Sequence, residues 1–217
     1  MATHLEEEEQ VEALKRWWKE NGPSVIGGIV LGLAGIFGWN AWQNHQQAQA
    51  EQASELYAQL VDAVQNGKFD LAEGLSKRLT GDFERTAYAD YARLLQAKAW
   101  VDQGRPEEAK PWLESVLKSS NDVDLQHLAR LRLSRILLAM EKPEEGLSLL
   151  DSAKVGDPGH FAGHYEETKG DLYYAWGKRQ EAREAYQKAI ALGRDHPYLR
   201  MKLNDLGSEA SGELTQP

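Results

Sequence analysis

From Val25 to Trp42 the chain reads VIGGIVLGLAGIFGWNAW, apolar apart from Asn40, and from Asn21 to Ala50 it carries no Asp, Glu, Lys or Arg. A run of that length satisfies its own backbone as a helix and matches the apolar thickness of a bilayer. Indole pairs bracket it, Trp17 and Trp18 before and Trp39 and Trp42 after. Trp18 to Trp39 spans roughly 32 Å at about 1.5 Å per residue, against a hydrocarbon core of about 30 Å. Beyond Ala50 the pattern changes: Ala, Leu, Glu and Gln dominate, runs of β-branched residues are missing, and polar turns interrupt helical stretches. This predicts an all-α chain, with one helix over 24–65 that runs unbroken out of the membrane segment. Shorter helices are predicted near 68–79, 83–102, 106–119, 123–141, 144–153, 161–176, 179–192 and 196–206.

The turns recur at a fixed interval. Asn66-Gly67-Lys68-Phe69-Asp70-Leu71-Ala72 overlays Gln103-Gly104-Arg105-Pro106-Glu107-Glu108-Ala109, then Met140-Glu141-Lys142-Pro143-Glu144-Glu145-Gly146, then Trp176-Gly177-Lys178-Arg179-Gln180-Glu181-Ala182. Offsets of 37, 37 and 36 mark an array of helix pairs. In each frame glycine or a polar residue ends one helix and a basic residue complements its dipole. Proline or an acidic residue then opens the next helix. The last residue of each frame (Ala72, Ala109, Gly146, Ala182) is small, as two closely packed helices require.

The last unit resembles the tetratricopeptide repeat, with Gly170, Tyr173, Ala182, Tyr186 and Ala189 in the family's small and aromatic positions. Trp100, Ala109, Leu113 and Val116 form a weaker copy, and Leu137, Gly146, Leu150 and Ala153 another; the unit around Ala72 is degenerate. The expected fold is therefore a single N-terminal transmembrane helix followed by a tetratricopeptide-like α-solenoid of about four helix pairs and a C-terminal capping helix. Because the family's usual period is shorter by two or three residues, a longer helix or loop is expected in each unit. Expected boundaries are 1–22 for an N-terminal segment, 23–43 for the transmembrane helix, 44–207 for the repeat domain and 208–217 for a polar tail.

Lys15, Arg16 and Lys19 precede the apolar run, and no Lys or Arg follows it until Lys68. The positive-inside rule then puts the N-terminus in the cytosol and the repeat domain outside. Ala48-Gln49-Ala50 offers a small-x-small cleavage site, but the long acidic segment ahead of the run and the distance of that site from it favour a retained anchor. Gly28, Gly32 and Gly35 share one helical face, which would let another transmembrane helix approach closely.

The chain has a net charge of −9, and its first fifty residues carry three basic and six acidic side chains, leaving −6 for the rest. No basic stripe invites nucleic acid. Cysteine is absent, which removes disulfides and thiol chemistry. His160 and His164 lie four apart with Glu166 and Glu167 nearby, a metal-like spacing without an assured third ligand, and exposed residues at a helix start account for it equally well. No phosphate loop, dinucleotide turn or nucleophile elbow is present, so neither an enzyme nor a cofactor is expected.

Repeat arrays instead present a concave groove lined by the first helix of each pair. The frame puts Tyr91, Leu94, Lys98 and Val101 there in the second unit, Leu128, Leu131, Arg135 and Leu138 in the third, and His164, Glu167, Asp171 and Tyr174 in the fourth. Lys98, Arg135 and Asp171 are expected along one wall. Apolar positions beside charge suit a segment of another protein.

The acidic N-terminus, the run Trp17-Trp18-Lys19-Glu20-Asn21-Gly22 before a Gly-rich anchor, the Gln-rich exit from Gln43 to Gln52 and the repeat domain together resemble the bacterial YfgM family, the ancillary subunit of the SecYEG translocon. The resemblance covers the whole chain. It implies a single-pass protein of the bacterial inner membrane with its repeat domain in the periplasm. The implied partners are SecYEG and the membrane-anchored, prolyl-isomerase-like chaperone PpiD. Secreted client proteins and a cytosolic stress regulator met by the N-terminal segment complete the list. The residues by themselves indicate an anchored protein-binding scaffold. A structural organiser of the envelope or of cell division, oligomerising through its repeats, is the alternative.

Overall fold

The computed structural model describes the backbone of residues 2–151 and 157–212 and the side chains of 11–151 and 157–206. The third-copy position Ala153 lies outside the described residues. Two compact units divide the chain, Met1–Gln52 and Ala53–Pro217.

Helix α1 (Ala2–Gln65) contributes to both and begins well before the expected residue 24, with Pro23 inside it. Proline removes one backbone donor. One turn earlier the Asn21 amide donates to the Trp17 carbonyl at 3.0 Å. In the first unit the indole centroids of Trp17 and Trp18 lie 6.3 Å apart and those of Trp39 and Trp42 5.1 Å. The helix is long and apolar enough to span a membrane, and none of its apolar window is buried. Gly28, Gly32 and Gly35 are exposed, with nothing near the place a Cβ would occupy.

The second unit is a stack of helix pairs without a strand among the described residues. The end of α1 pairs with α2 (Phe69–Asp82), α3 (Ala87–Asp102) with α4 (Pro106–Ser119), α5 (Val123–Ala139) with α6 (Pro143–Asp151), and α7 (Ala162–Ala175) with α8 (Arg179–Ala191). Helix α9 (Pro197–Gly212) packs on α8 as a cap and runs past the expected end at 206, through residues assigned in advance to a polar tail.

The 37-residue frame is a repeated backbone device. At each turn one residue takes a left-handed conformation: Gly67 (φ 68°), Gly104 (73°), Glu141 (58°) and Gly177 (76°). The following N–H reaches back five residues, Lys68 to Ala63, Arg105 to Trp100, Lys142 to Leu137 and Lys178 to Tyr173, at 2.8–2.9 Å. This is the Schellman closure, which satisfies carbonyls that a helix end leaves open. Pro106, Pro143 and Pro197 each open a helix, where the missing donor costs nothing. The Asp122 carboxylate caps α5 by accepting from the N–H groups of Asp124 and Leu125. Helix α3 starts four residues later than expected because Phe83 turns into the core and Thr86 closes a turn on its carbonyl.

The core is a chain of local clusters. Leu60 and Ala63 of α1 pack with Leu75 and Leu79 of α2; Leu113 and Val116 of α4 lie between Ala97 of α3 and Leu133 and Leu137 of α5. Leu147 and Leu150 of α6 meet Tyr165 and Leu172 of α7, and Tyr186 and Ala189 of α8 meet Leu199 of α9. Ala72, Ala109 and Ala182 are fully buried, and Gly146 is buried against Leu172. Each pair thus buries its apolar face against its neighbours, the stability pattern of a repeat protein.

Candidate binding groove

Two clefts open along the repeat stack. The first, of about 350 Å³, has walls from α3 (Ala97, Lys98, Val101) and α5 (Arg132, Arg135, Ile136, Ala139), with Pro106 and Leu113 of α4 between them. The second, of about 380 Å³, is lined by Leu138 of α5, Asp171, Tyr174 and Ala175 of α7, Tyr186 of α8, and Tyr198, Lys202 and Asp205 of α9. An aromatic trio, Tyr57 of α1 with Tyr88 and Tyr91 of α3, sits near the start of the stack, its centroids 5.8–6.0 Å apart.

The expected groove residues divide among these places. Lys98, Val101 and Arg135 share the first cleft, Leu138, Asp171 and Tyr174 share the second, and Tyr91 belongs to the aromatic trio. Of the three charged residues expected along one wall, Lys98 and Arg135 thus line one cleft and Asp171 the other. Leu94 is not a groove side chain: it is buried in the cluster between α3, α4 and α5. Leu131 is buried too, and Leu128 is half-buried. Glu167 is also buried, because the connection after α8 brings Arg194 to it at 2.8 Å and α9 adds Lys202 at 3.6 Å, with His196 at 3.3 Å. Burial by itself would raise the Glu167 carboxyl. The hydrogen bonds from Arg194 and His196, with the charges of Arg194 and Lys202, outweigh it and hold the group below the usual carboxylate range.

The polar groups of the second cleft are similarly engaged. Asp171 accepts from the Tyr186 hydroxyl at 2.8 Å and from Lys202 at 2.7 Å. Burial, then the Asp171 charge and its hydrogen bond, push the Tyr186 phenol far above its ordinary range, so it remains a donor. In the first cleft Lys98 pairs with Asp102 on its own helix, whereas Arg132 donates to the Leu94 carbonyl at 3.2 Å. Burial and then the neighbouring Arg135 charge lower the Arg132 pKa.

The histidines do not assemble into a site. His160 stacks on Phe161 with centroids 4.2 Å apart, and His164 is half-buried. Among the described residues no group of three His, Cys, Asp or Glu side chains could hold a metal ion. Buried His127 meets the Tyr165 hydroxyl at 2.8 Å through Nδ1, and desolvation with the Arg130 charge lowers its pKa. Arg132 of the first cleft and Tyr198 and Lys202 of the second are lining residues that the repeat frame did not place in the groove. The Arg132-x-x-Arg135 spacing was the available signal, since residues three apart share a helix face.

The tetratricopeptide repeat-like domain family matches residues 15–208, anchor and repeats together. The ancillary SecYEG translocon subunit of Haemophilus influenzae is 33% identical over 208 residues, covering 95% of this chain and 100% of that protein. The protein of the same description from Escherichia coli (strain K12) is 30% identical, covering 95% and 99%, and that from Neisseria gonorrhoeae is 33% identical, covering 95% and 100%. The chain belongs to this family. Within the ancillary translocon subunit family the anchor and the repeat domain therefore form one continuous homologous unit. The solved structure of MamA protein is similar in fold, with a TM-score of 0.58 at 16% identity over 74% of this chain and 84% of that one. A MamA RS-1 double mutant gives the same score over 75% and 86%. At that identity the likeness concerns the fold alone.

Proposed function

We propose that this chain is a non-catalytic, membrane-anchored adaptor of the secretory translocon. In this reading residues 1–22 lie in the cytosol, 23–43 cross the inner membrane and 44–207 stand in the periplasm. The anchor associates with SecYEG, and the repeat groove holds a PpiD-like chaperone or a secreted client near the pore exit. Its cytosolic segment would be the part within reach of a stress regulator. The observation that carries the reading is full-length kinship with proteins described as ancillary SecYEG translocon subunits, combined with an open, apolar, arginine-rimmed cleft on the repeat stack. Apolar surface beside charge fits recognition of polypeptide. Confinement by the anchor raises the effective concentration of groove and partner, so modest affinity suffices.

The test is crosslinking in intact membranes followed by detergent extraction and recovery of partners. The intact chain is expected to recover SecYEG and a periplasmic chaperone, and Lys98→Glu with Arg135→Glu to lose the chaperone while keeping SecYEG. Homo-oligomers without any translocon component would refute the adaptor role. A reporter joined after Pro217 that behaves as cytosolic would refute the orientation.

A further inference from the structure

The first cleft holds three cationic side chains; Lys98 is paired with Asp102 on its own helix, which leaves Arg132 and Arg135. Arg132 and Arg135 stand three apart on α5 and both line the cavity. Among the described residues, Arg132 is seen to bond only the Leu94 carbonyl, at 3.2 Å, and neither guanidinium has a carboxylate at ion-pair distance. Arginines at two other packed positions do, at 2.8 Å: Arg93 with Asp90 and Arg194 with Glu167. In a chain with 34 acidic and 25 basic residues, a half-buried arginine beside a second one is an unmet electrostatic demand. A carboxylate supplied from outside answers it, since the planar guanidinium binds carboxylates through paired hydrogen bonds.

The surroundings define the rest of the ligand. On one side of the arginine pair the cleft is apolar, through Ala97, Val101 and Ile136. On the other, α3 leads back one turn from the Leu94 carbonyl to Tyr91 and the aromatic trio, whose Tyr57 lies close enough to Arg132 to feel its charge. Apolar cleft lining thus lies on one side of the cationic pair, and along α3 the tyrosine rings lie beyond it on the other. The volume of about 350 Å³ is at the small end for a ligand site and takes one or two side chains. The second cleft lacks this demand, because its Asp171, Lys202 and Tyr186 are bonded to one another.

We infer that this cleft docks a partner polypeptide through an internal acidic side chain, flanked by leucine-like residues and held by Arg132 and Arg135. The occupant is a chain segment and not a chain end, since protein surface continues past the carboxylate position both ways, to Val101 within the cleft and to Tyr91 one turn back along α3. This deepens the adaptor reading and rests on it for the occurrence of a partner.

The test uses the full chain in detergent micelles and fluorescence anisotropy with short labelled peptides, acetylated and amidated, centred on Leu-Glu-Leu or on Leu-Gln-Leu. A third probe carries Leu-Gln-Leu with a free C-terminal carboxylate. The Glu probe is expected to bind about tenfold more tightly than the Gln probe, with a preference that weakens as salt rises. Arg135→Gln should abolish that preference, and Arg135→Glu should reverse it. Arg135 is exposed, so these variants keep the fold, checked by thermal melting; Arg132→Gln also removes the bond to Leu94 and is read only if its melt matches. Equal binding of the Glu and Gln probes, no binding of either, or restoration by the free C-terminus overturns the inference. Recovery of SecYEG alongside such a result leaves the adaptor role standing. Binding of the Glu probe without any translocon recovery refutes the adaptor role and leaves the cleft chemistry intact.

Discussion

The ring of Tyr186 fills the space a side chain on Gly170 would need: a Cβ built there falls 2.3 Å from Cε1 and 2.4 Å from Cδ1. Helices α7 and α8 can approach only because position 170 has no side chain. The ring has little freedom to retreat, since its hydroxyl is bonded to Asp171 and its face is buried under α9. Gly170→Ala is therefore expected to cost about 1–3 kcal/mol by overpacking. At about 2–4 °C per kcal/mol for a domain of this size, the melting midpoint followed by circular dichroism should fall by about 3–10 °C. An unchanged midpoint would mean that the helices separate without penalty.

Glu141 occupies the left-handed position that glycine fills in the other three turns, with φ 58°. An L-residue there pays about 1–2 kcal/mol of backbone strain, against about 0.5–1 kcal/mol for the greater unfolded-state freedom of glycine. Glu141→Gly should thus stabilise the protein by about 0.5–1 kcal/mol. Urea unfolding should show a higher midpoint with an unaltered slope.

Much of the fold could be read in advance because the turn chemistry repeats. Gly67, Gly104 and Gly177 announced their turns directly, and Glu141 was caught by position despite its residue type. Boundaries failed where a tertiary contact overrode the local pattern, as at Phe83, drawn inward so that α3 waits until Ala87. The repeat frame did bring Lys98 and Arg135 together, since both line one cleft. Leu94 and Glu167 escaped because the frame gives the face but not the depth. A neighbouring helix covers Leu94, and Arg194, 27 residues further on, neutralises Glu167. The cleft-lining face of the cap α9 lay outside the framed units, which hid Tyr198 and Lys202.

Glu167 gives the protein an acid-sensitive latch between α7, the connection after α8, and α9. Its folded pKa is depressed below the ordinary 4.5, so its stabilisation is complete above that value and is lost as pH falls through the folded pKa. Glu167→Gln is expected to cost about 2–3 kcal/mol near neutrality, less than a fully buried pair because Arg194 is partly exposed. Melting midpoints measured across the acid range should converge for the two proteins as pH falls through the depressed folded pKa of Glu167. A constant gap would locate the effect in packing and not in charge.

The buried histidine adds a milder step at higher pH. Desolvation and the Arg130 charge lower the His127 pKa, so the folded state holds it neutral while the unfolded chain binds a proton near pH 6.5. Its contribution is present above that value and declines as pH falls toward the folded pKa. His127→Phe should flatten the stability profile below about pH 6.5. Loss of the Tyr165 hydroxyl contact should cost about 1 kcal/mol across the whole range.

In the anchor, Gly28, Gly32 and Gly35 form a bare strip, with no neighbour among the described residues where their side chains would stand. Without a hydrophobic force between lipid-embedded helices, close backbone approach across small residues is a main source of their association. If the strip seats α1 against a translocon helix, Gly32→Leu fills the contact with a branched side chain and prevents that approach. SecYEG recovered by crosslinking should fall at least about threefold, which at 0.6–0.7 kcal/mol is within the range of one lost helix contact. The melt of the repeat domain should be unaffected, because Gly32 belongs to the separate compact unit Met1–Gln52. Full recovery with Gly32→Leu would assign translocon association to the repeat domain and leave the glycine strip as an ordinary feature of a membrane helix.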